Sequence, residues 1–304
     1  VSGARDGTAT GGSTVRVLAA TGLALLQDLG RPGRAHLGVG GSGAMDRAAH
    51  GLANRLLGNP DSAAALEVVL GGLRLMLPSG SWVAVTGAWG PVTLDGDAVE
   101  PHTAVRAHGE AELVLGAATQ GVRYSVALRG GVAVAEVLGS RSRDTLAALG
   151  PAPVIAGDVL PVGPEPGDPV PPADMVPVDP PPTGLVELAV RPGPRLDWFT
   201  AEAERVLLDT EWIVSPRSDR TGVRLEGPAL DRTPDRVGVE LASEGMLPGS
   251  IQVSPDGAPT VLGPDHPVTG GYPVIAVVTD ASRDRLAQLR PGQAVHLRLV
   301  AGRP

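Results

Sequence analysis

The residues with the most usable chemistry cluster between Gln27 and Glu67, in QDLGRPGRAHLGVGGSGAMDRAAHGLANRLLGNPDSAAALE. Carboxylates, arginines, histidines and amides lie there among glycines, around one short apolar helix. Three polar stretches follow: SPRSDRTGVRLEG (Ser215–Gly227), SEGMLPGSIQVSPDGAP (Ser243–Pro259) and DHPVTGGYP (Asp265–Pro273). Asp28, His36, Asp46 and Asp219 are the groups placed to move protons or orient an amide. Arg31 and Arg220 are suited to grip a small carboxylate through paired hydrogen bonds. Gln27, Ser42, Asn54, Glu244, Gln252 and Tyr272 supply further polar contacts for a substrate. Gly270 and Gly271 permit close backbone approach, for a turn or for a ligand. Structural ion pairing at turns is the competing reading of the Asp–Arg pairs, and loop fixing that of Asn54 and Asn59. Glu67, leading an apolar strand, reads as an inward catalytic carboxylate or as a helix-to-strand hydrogen-bond anchor, the latter preferred. His266, beside Asp265 in a Pro/Gly loop, is a further site candidate, whereas His102 and His108 fall in a hairpin and are expected to be solvated.

Other chemistries find less support. Ser42 in Gly-Gly-Ser-Gly lacks the preceding strand and the spacing of a nucleophile elbow, so it reads as a turn or helix cap. No HExxH or H-x-H occurs, and no metal site is expected. GGSGAMD lacks the lysine of a phosphate-binding loop, so ATP chemistry requires another motif or another subunit. With no cysteine, thiolate nucleophiles and disulfides are excluded.

The elements that must position these groups are mostly short strands. The chain has 304 residues, 42 of them glycine and 30 proline, and only 2% aromatic residues, so its cores must be built from Val, Leu and Ala. A net charge of −8 with interspersed signs argues against a nucleic-acid binder. No apolar run approaches the ~20 residues that span a bilayer, and no signal peptide is visible, so a cytoplasmic protein is expected. Apolar spacing from Met45 to Leu57 predicts a helix, with Ser42 as N-cap and Gly58 just past its end. Asp95-Gly96 predicts a hairpin. SRDTLAAL (Ser142–Leu149) and SRDRLAQL (Ser282–Leu289) each predict a short helix, and their likeness suggests an internal duplication. The proline-dense Pro161–Thr183 cannot be a core element and reads as an extended linker. The expected organisation is a flexible tail at 1–13, a first domain at 14–163, a linker at 164–183 and a second domain at 184–304. Strands without regular helices between them point to a mainly β protein of two closed or nearly closed barrels with a few short helices.

At the same residues the chain resembles the allophanate hydrolase subunit 2 family, also called the KipA-like or biotin-dependent carboxyltransferase-related family. QDLGRPG…HLGV…SGAMDR…ANRLLGNP…ALE carries the likeness, with SPRSDRTGVRLEG, SEGMLPGSIQVSPDGAPTVL and GGYPVIAVV, in order over roughly residues 15–300. One departure is Gly40-Gly41, where the family often has a proline. The resemblance implies tandem cyclophilin-like β-barrels and a KipI-like partner of the allophanate hydrolase subunit 1 family. It implies one of three functions: a subunit of an ATP-dependent 5-oxoprolinase with a third subunit, the carboxyltransferase part of a biotin-dependent urea or amide carboxylase, or a regulator that counters a KipI-like kinase inhibitor. The first is the expected one. No cofactor is expected on this chain itself; ATP would act in the complex, and biotin enters only in the carboxyltransferase alternative.

Overall fold

The computed structural model describes residues 13–172 and 176–300; the expected tail lies outside this range except for Ser13. In the first half one sheet has the strand order Val159–Pro161, Thr14–Ala20, Leu73–Leu77, Ala111–Leu115, Val92–Leu94, Asp97–Ala98. A second has the order Ala24–Gln27, Ala65–Val69, Gln120–Leu128, Trp82–Trp89, Ala104–Arg106. Leu73–Leu77 shows why these segments become strands: Leu73, Leu75 and Leu77 are buried while Arg74 between them is exposed, the two-residue period of a half-buried strand. Val15, Leu75 and Leu113 from one sheet meet Leu66, Val85 and Val126 from the other in a single core.

The second half closes. Its barrel runs Val186–Pro192, Val274–Val278, Ser250–Val253, Pro259–Leu262, Gly222–Glu226, Glu211–Val214, Ala294–Leu299 and back to the first. Closure depends on a parallel pairing of Val186–Pro192 with Ala294–Leu299, in which Leu188 faces Leu297. Closing a sheet removes its open edges. Trp212 fills much of the interior, and its indole N–H donates to Leu207 O at 3.0 Å, as a buried indole requires. The mainly β expectation holds, with one closed barrel in the second half and two sheets around a shared core in the first.

Three helices complete the fold: α1 (Arg47–Leu56), α2 (Ala201–Asp209) and α3 (Asp280–Ala287). Helix α1 lies on the outer face of the five-stranded sheet, where Ala53 and Leu57 meet the small residues Ala65, Ala84 and Ala127. Its N-cap is Asp46, not Ser42: Asp46 accepts from Ala49 N at 2.9 Å, whereas Ser42 is turned away at φ 54° and its hydroxyl donates to Asp265. Gly58 follows the helix at φ 68°, in the left-handed conformation expected of it. Asp95 and Gly96 form the predicted hairpin turn, with φ 51° and 87°.

Ser142–Leu149 is not a helix. Its polar side chains bond locally and across the fold instead: Asp144 accepts from Ala147 N at 2.9 Å and Ser142 donates to Asp28 at 2.6 Å, competing with helical bonding. The matching string in the second half does form α3, so the two strings that suggested a duplication have different structures. Residues 162–172 and 176–185 contain no strand or helix. They are held as a strap by Arg129, which donates to Pro166 O at 2.9 Å, and by Gln293, which donates to Pro182 O at 2.7 Å and Gly184 O at 2.9 Å.

Candidate active site

Charged residues inside apolar strands are costly unless paired, and two such residues mark the junction of the halves. Glu67 sits in ALEVV and Arg123 in QGVRYSVAL, on adjacent strands. The second half inserts Arg220 between them. Its Nη1 donates to Glu67 Oε1 at 2.6 Å, its Nε and Nη2 donate to the two Asp265 oxygens at 2.8 and 3.0 Å, and Nη2 also reaches Gly43 O at 2.6 Å. Asp265 further accepts from the Ser42 hydroxyl at 2.7 Å, and from Thr145 N and Oγ1 at 2.9 and 2.7 Å. Glu67 Oε2 accepts from Met45 N at 2.9 Å, the anchor role read from sequence. Burial works against the charge on Arg220, but Glu67 and Asp265 outweigh it and hold the guanidinium firmly protonated. Burial likewise opposes ionisation of Asp265, yet Arg220 and the other donors keep its carboxyl below the usual range. Burial pushes Arg123 below its usual range, against the pull of Glu67 at 3.5 Å. This network fixes the Gly43–Met45 turn and hence the residue that follows.

That residue is Asp46. It lines a cavity of about 740 Å³ bounded by α1, the strap and α3, a volume in the range of small-molecule sites. Its Oδ1 caps α1 and its Oδ2 accepts from Gln288 Nε2 at 2.6 Å. The residue keeps partial exposure at the cavity, but its carboxyl is deep enough for desolvation to dominate. Burial raises it from 3.8 to about 6 against the hydrogen bonds of Gln288 and Ala49, with Asp284 and Glu67 adding to the rise. A carboxyl poised there exchanges protons near neutral pH.

His102 lines the same cavity. The expectation that it is solvated fails: it is 3% exposed, at φ 60°, with its ring centroid 5.8 Å from that of Trp89. Burial pushes its imidazole below the usual range, so it is neutral at physiological pH. Burial thus favours the neutral form of both groups that line this cavity. Arg285 is exposed beside them, with no ion-pair partner among the described residues. Much of the remaining lining is apolar, including Leu52, Val176, Val178, Leu185 and Leu289.

The other expected site residues divide into groups. Arg220 and Ser42 belong to the buried network under Asp46, where Arg220, 2% exposed, is turned to Glu67, Asp265 and Gly43 and lines none of the cavities described. Asp28 is taken up by four donors, Gly30 N, Arg141 N and the hydroxyls of Ser140 and Ser142, at 2.6–2.7 Å. Arg31 donates to Val137 O and Ser142 O, and Gln27 to Arg143 O. These three knot two loops together and line none of the cavities described. Asn54 is buried and bonds to Ala63 O and Asn59. His36 is exposed on a short 3-10 turn, and exposed Asp219 accepts from Thr221 N and Gly222 N in a turn. Glu244 pairs with Arg195 and its strand pairs with Gly270, while Tyr272 is 43% exposed. Gln252 lies in the barrel and Gly271 beside Leu241 O; none of these five lines the Asp46 cavity. His266, buried with Nδ1 2.7 Å from Pro267 O, lines a separate cavity of about 110 Å³ with Ser42, Arg47 and Arg283. Sequence reasoning missed Arg123, Gln288 and Arg285 and misplaced His102. The available signal was a charge inside an apolar strand, which Glu67 and Arg123 share. Among the described residues no group of His, Asp and Glu is arranged to hold a metal ion.

The chain belongs to the carboxyltransferase family: residues 37–299 match the family described as Carboxyltransferase domain, subdomain A and B. Within it, the chain is 34% identical to the C subunit of 5-oxoprolinase from Escherichia coli K12, over 93% of this chain and 90% of that protein. It is 31% identical to the C subunit of 5-oxoprolinase from Haemophilus influenzae, over 94% of this chain and 91% of that protein. The crystal structure of K. lactis urea amidolyase has the same fold, with a TM-score of 0.88 at 27% identity, over 97% of this chain but 19% of that one. No helix among the described residues is long and apolar enough to cross a membrane.

Proposed function

We propose that this chain is the C-type subunit of an ATP-dependent 5-oxoprolinase, opening 5-oxoproline to glutamate together with a KipI-like subunit and a third subunit. The observation that carries the reading is the match, over at least 90% of each chain, to two proteins named as the C subunit of a 5-oxoprolinase. Urea amidolyase corresponds to the chain through only a small part of its length. The cavity supports the same chemistry. Lactam opening forms a C–O bond from water and breaks the C–N bond, so it needs a base for the water proton and an acid for the leaving nitrogen. Neutral His102 takes the water proton, protonated Asp46 supplies the nitrogen, and Arg285 binds the substrate carboxylate. ATP is handled by the other subunits.

The carboxyltransferase fold favours one further reading, transfer of a carboxyl group to urea or a related amide, with biotin entering as a substrate carried by another chain. Co-expression with the partner subunits and assay of glutamate release separates the two. ATP-dependent release that disappears when this chain is omitted, and falls in an Arg285→Gln complex through a raised KM for 5-oxoproline, is the expected result. No release from a stable complex overturns the oxoprolinase reading. Carboxylation of urea would then identify the second activity, and neither reaction would identify a non-catalytic regulator.

A further inference from the structure

We infer that Gln288 is a positioning residue for Asp46, so that the second half of the chain sets the orientation and proton affinity of an acid carried by the first. The inference rests on the reading of Asp46 as the proton-transfer group. Gln288 follows α3 directly and is 7% exposed. Its Oε1 accepts from Val122 N at 2.8 Å and Arg123 N at 3.0 Å, while its Nε2 donates to Arg123 O at 2.9 Å and Asp46 Oδ2 at 2.6 Å. The amide therefore cannot be turned over. Exchanging its oxygen and nitrogen would set the oxygen against a carbonyl and a carboxylate, and the NH₂ against two backbone N–H groups. Asp46 is always offered a donor, from a side chain locked on both sides.

Helix α3 grips the start of α1 at a second point, where Asp284 Oδ1 accepts from Arg47 N at 3.0 Å. Two residues of the same segment thus act on Asp46 in opposite senses: Gln288 stabilises its ionised form and the Asp284 carboxylate disfavours it. From the other packed elements, Glu67 and Arg123 on the strands and His50 on α1 share a small void with Asp46. Glu67 raises its proton affinity, and Arg123 attracts its charge.

The test is the titration midpoint of Asp46, followed by carboxyl-carbon NMR on the full chain and by the pH profile of the assembled enzyme. Gln288→Met keeps the volume and removes the donor. A hydrogen bond to a charged group of this kind corresponds to about one to two pH units, so the midpoint should move up by about that much. Gln293→Leu, which frees the strap carbonyls and Arg290 N but no partner of Asp46, should leave it in place. An unchanged midpoint in folded Gln288→Met overturns the inference, whatever the stability of the variant. Should that variant not fold, Gln288→Glu retains an acceptor for Val122 and Arg123, and it should also raise the midpoint; no rise overturns the proposal. Because NMR reads Asp46 without substrate, a complex without oxoprolinase activity but with the shifted midpoint would reject the functional reading and keep this one.

Discussion

Replacing Asp46 by Asn separates charge from architecture at the centre of the site. Asn caps helices about as well as Asp, so α1 keeps a partner for Ala49 N. Burial lifts the carboxyl from 3.8 to about 6, and each unit corresponds to about 1.36 kcal/mol. The folded protein holds this proton more tightly than the unfolded chain. Asp46 therefore has no effect on stability well below 3.8, and it costs progressively more until its folded midpoint at about 6 is passed. At neutral pH the cost is about 3 kcal/mol, and roughly half of it is already present at about pH 5. Asn escapes this term but cannot accept from both Ala49 and Gln288, a loss of about 1 kcal/mol that does not vary with pH. Urea denaturation should show the Asn variant gaining on the parent by about 1–1.5 kcal/mol between about pH 5 and about pH 7. Activity of the complex should fall by about 10²–10⁴-fold. A stability difference that stays flat across that window would refute the reasoning, since it would mean that the carboxyl is not held protonated by burial.

Arg220→Ala strands the buried carboxylates of Glu67 and Asp265, and should cost about 3–5 kcal/mol in chemical denaturation at neutral pH. Asp265 is held below its usual range in the parent, so the stability it contributes is present at neutral pH and is lost as the pH falls through its folded midpoint. In the variant that contribution is missing at every pH, so the gap should narrow as the solution is made acid; a gap that widens would count against the network. Gly87→Ala places a Cβ 2.4 Å from Arg123 O and 3.2 Å from Gln288 Nε2 at φ +89°. It should destabilise by more than about 1 kcal/mol and lower kcat, and normal stability with full activity would show that the close approach at Gly87 does not set the site. His102→Gln should remove the basic partner and lower kcat by about 10²-fold or more with KM little changed; an unaltered kcat removes His102 from the reaction.

The strands and the apolar periodicity were legible because each depends on neighbours two or four residues away. Asp95-Gly96 and Gly58 were legible for the same reason: a positive φ favours particular residues locally. The site was harder to read. The motif around Asp46 stands out in sequence, but three of its polar residues, Gln27, Asp28 and Arg31, turn inward to tie loops together, and a loop knot uses the same residue types as a binding site. Arg220 looked like a substrate clamp because arginine chemistry is identical whether its partner is a ligand or Glu67. Arg285, in a helix with no distinctive pattern, and Gln288 just past its end lie more than 200 residues from Asp46, so only the docking of α3 brings them to the cavity. His102 was misjudged because hairpin residues are usually wet, and its burial follows from the packing of Trp89 and the cavity wall around it.

The barrel of the second half has a consequence for synthesis. Its strand Ala294–Leu299 lies between Val186–Pro192, to which it is parallel, and Glu211–Val214. Until that strand has left the ribosome, both neighbours present open edges, and neither can be satisfied by the strands already made. A nascent chain halted between residues 278 and 294 therefore carries two unpaired edges beside the apolar interior of Leu188, Trp212 and Ile275. Helix α3 arrives in the same late segment, so the cavity, too, is incomplete through most of translation. Closure comes in one late step, which makes the growing chain a natural client for chaperones.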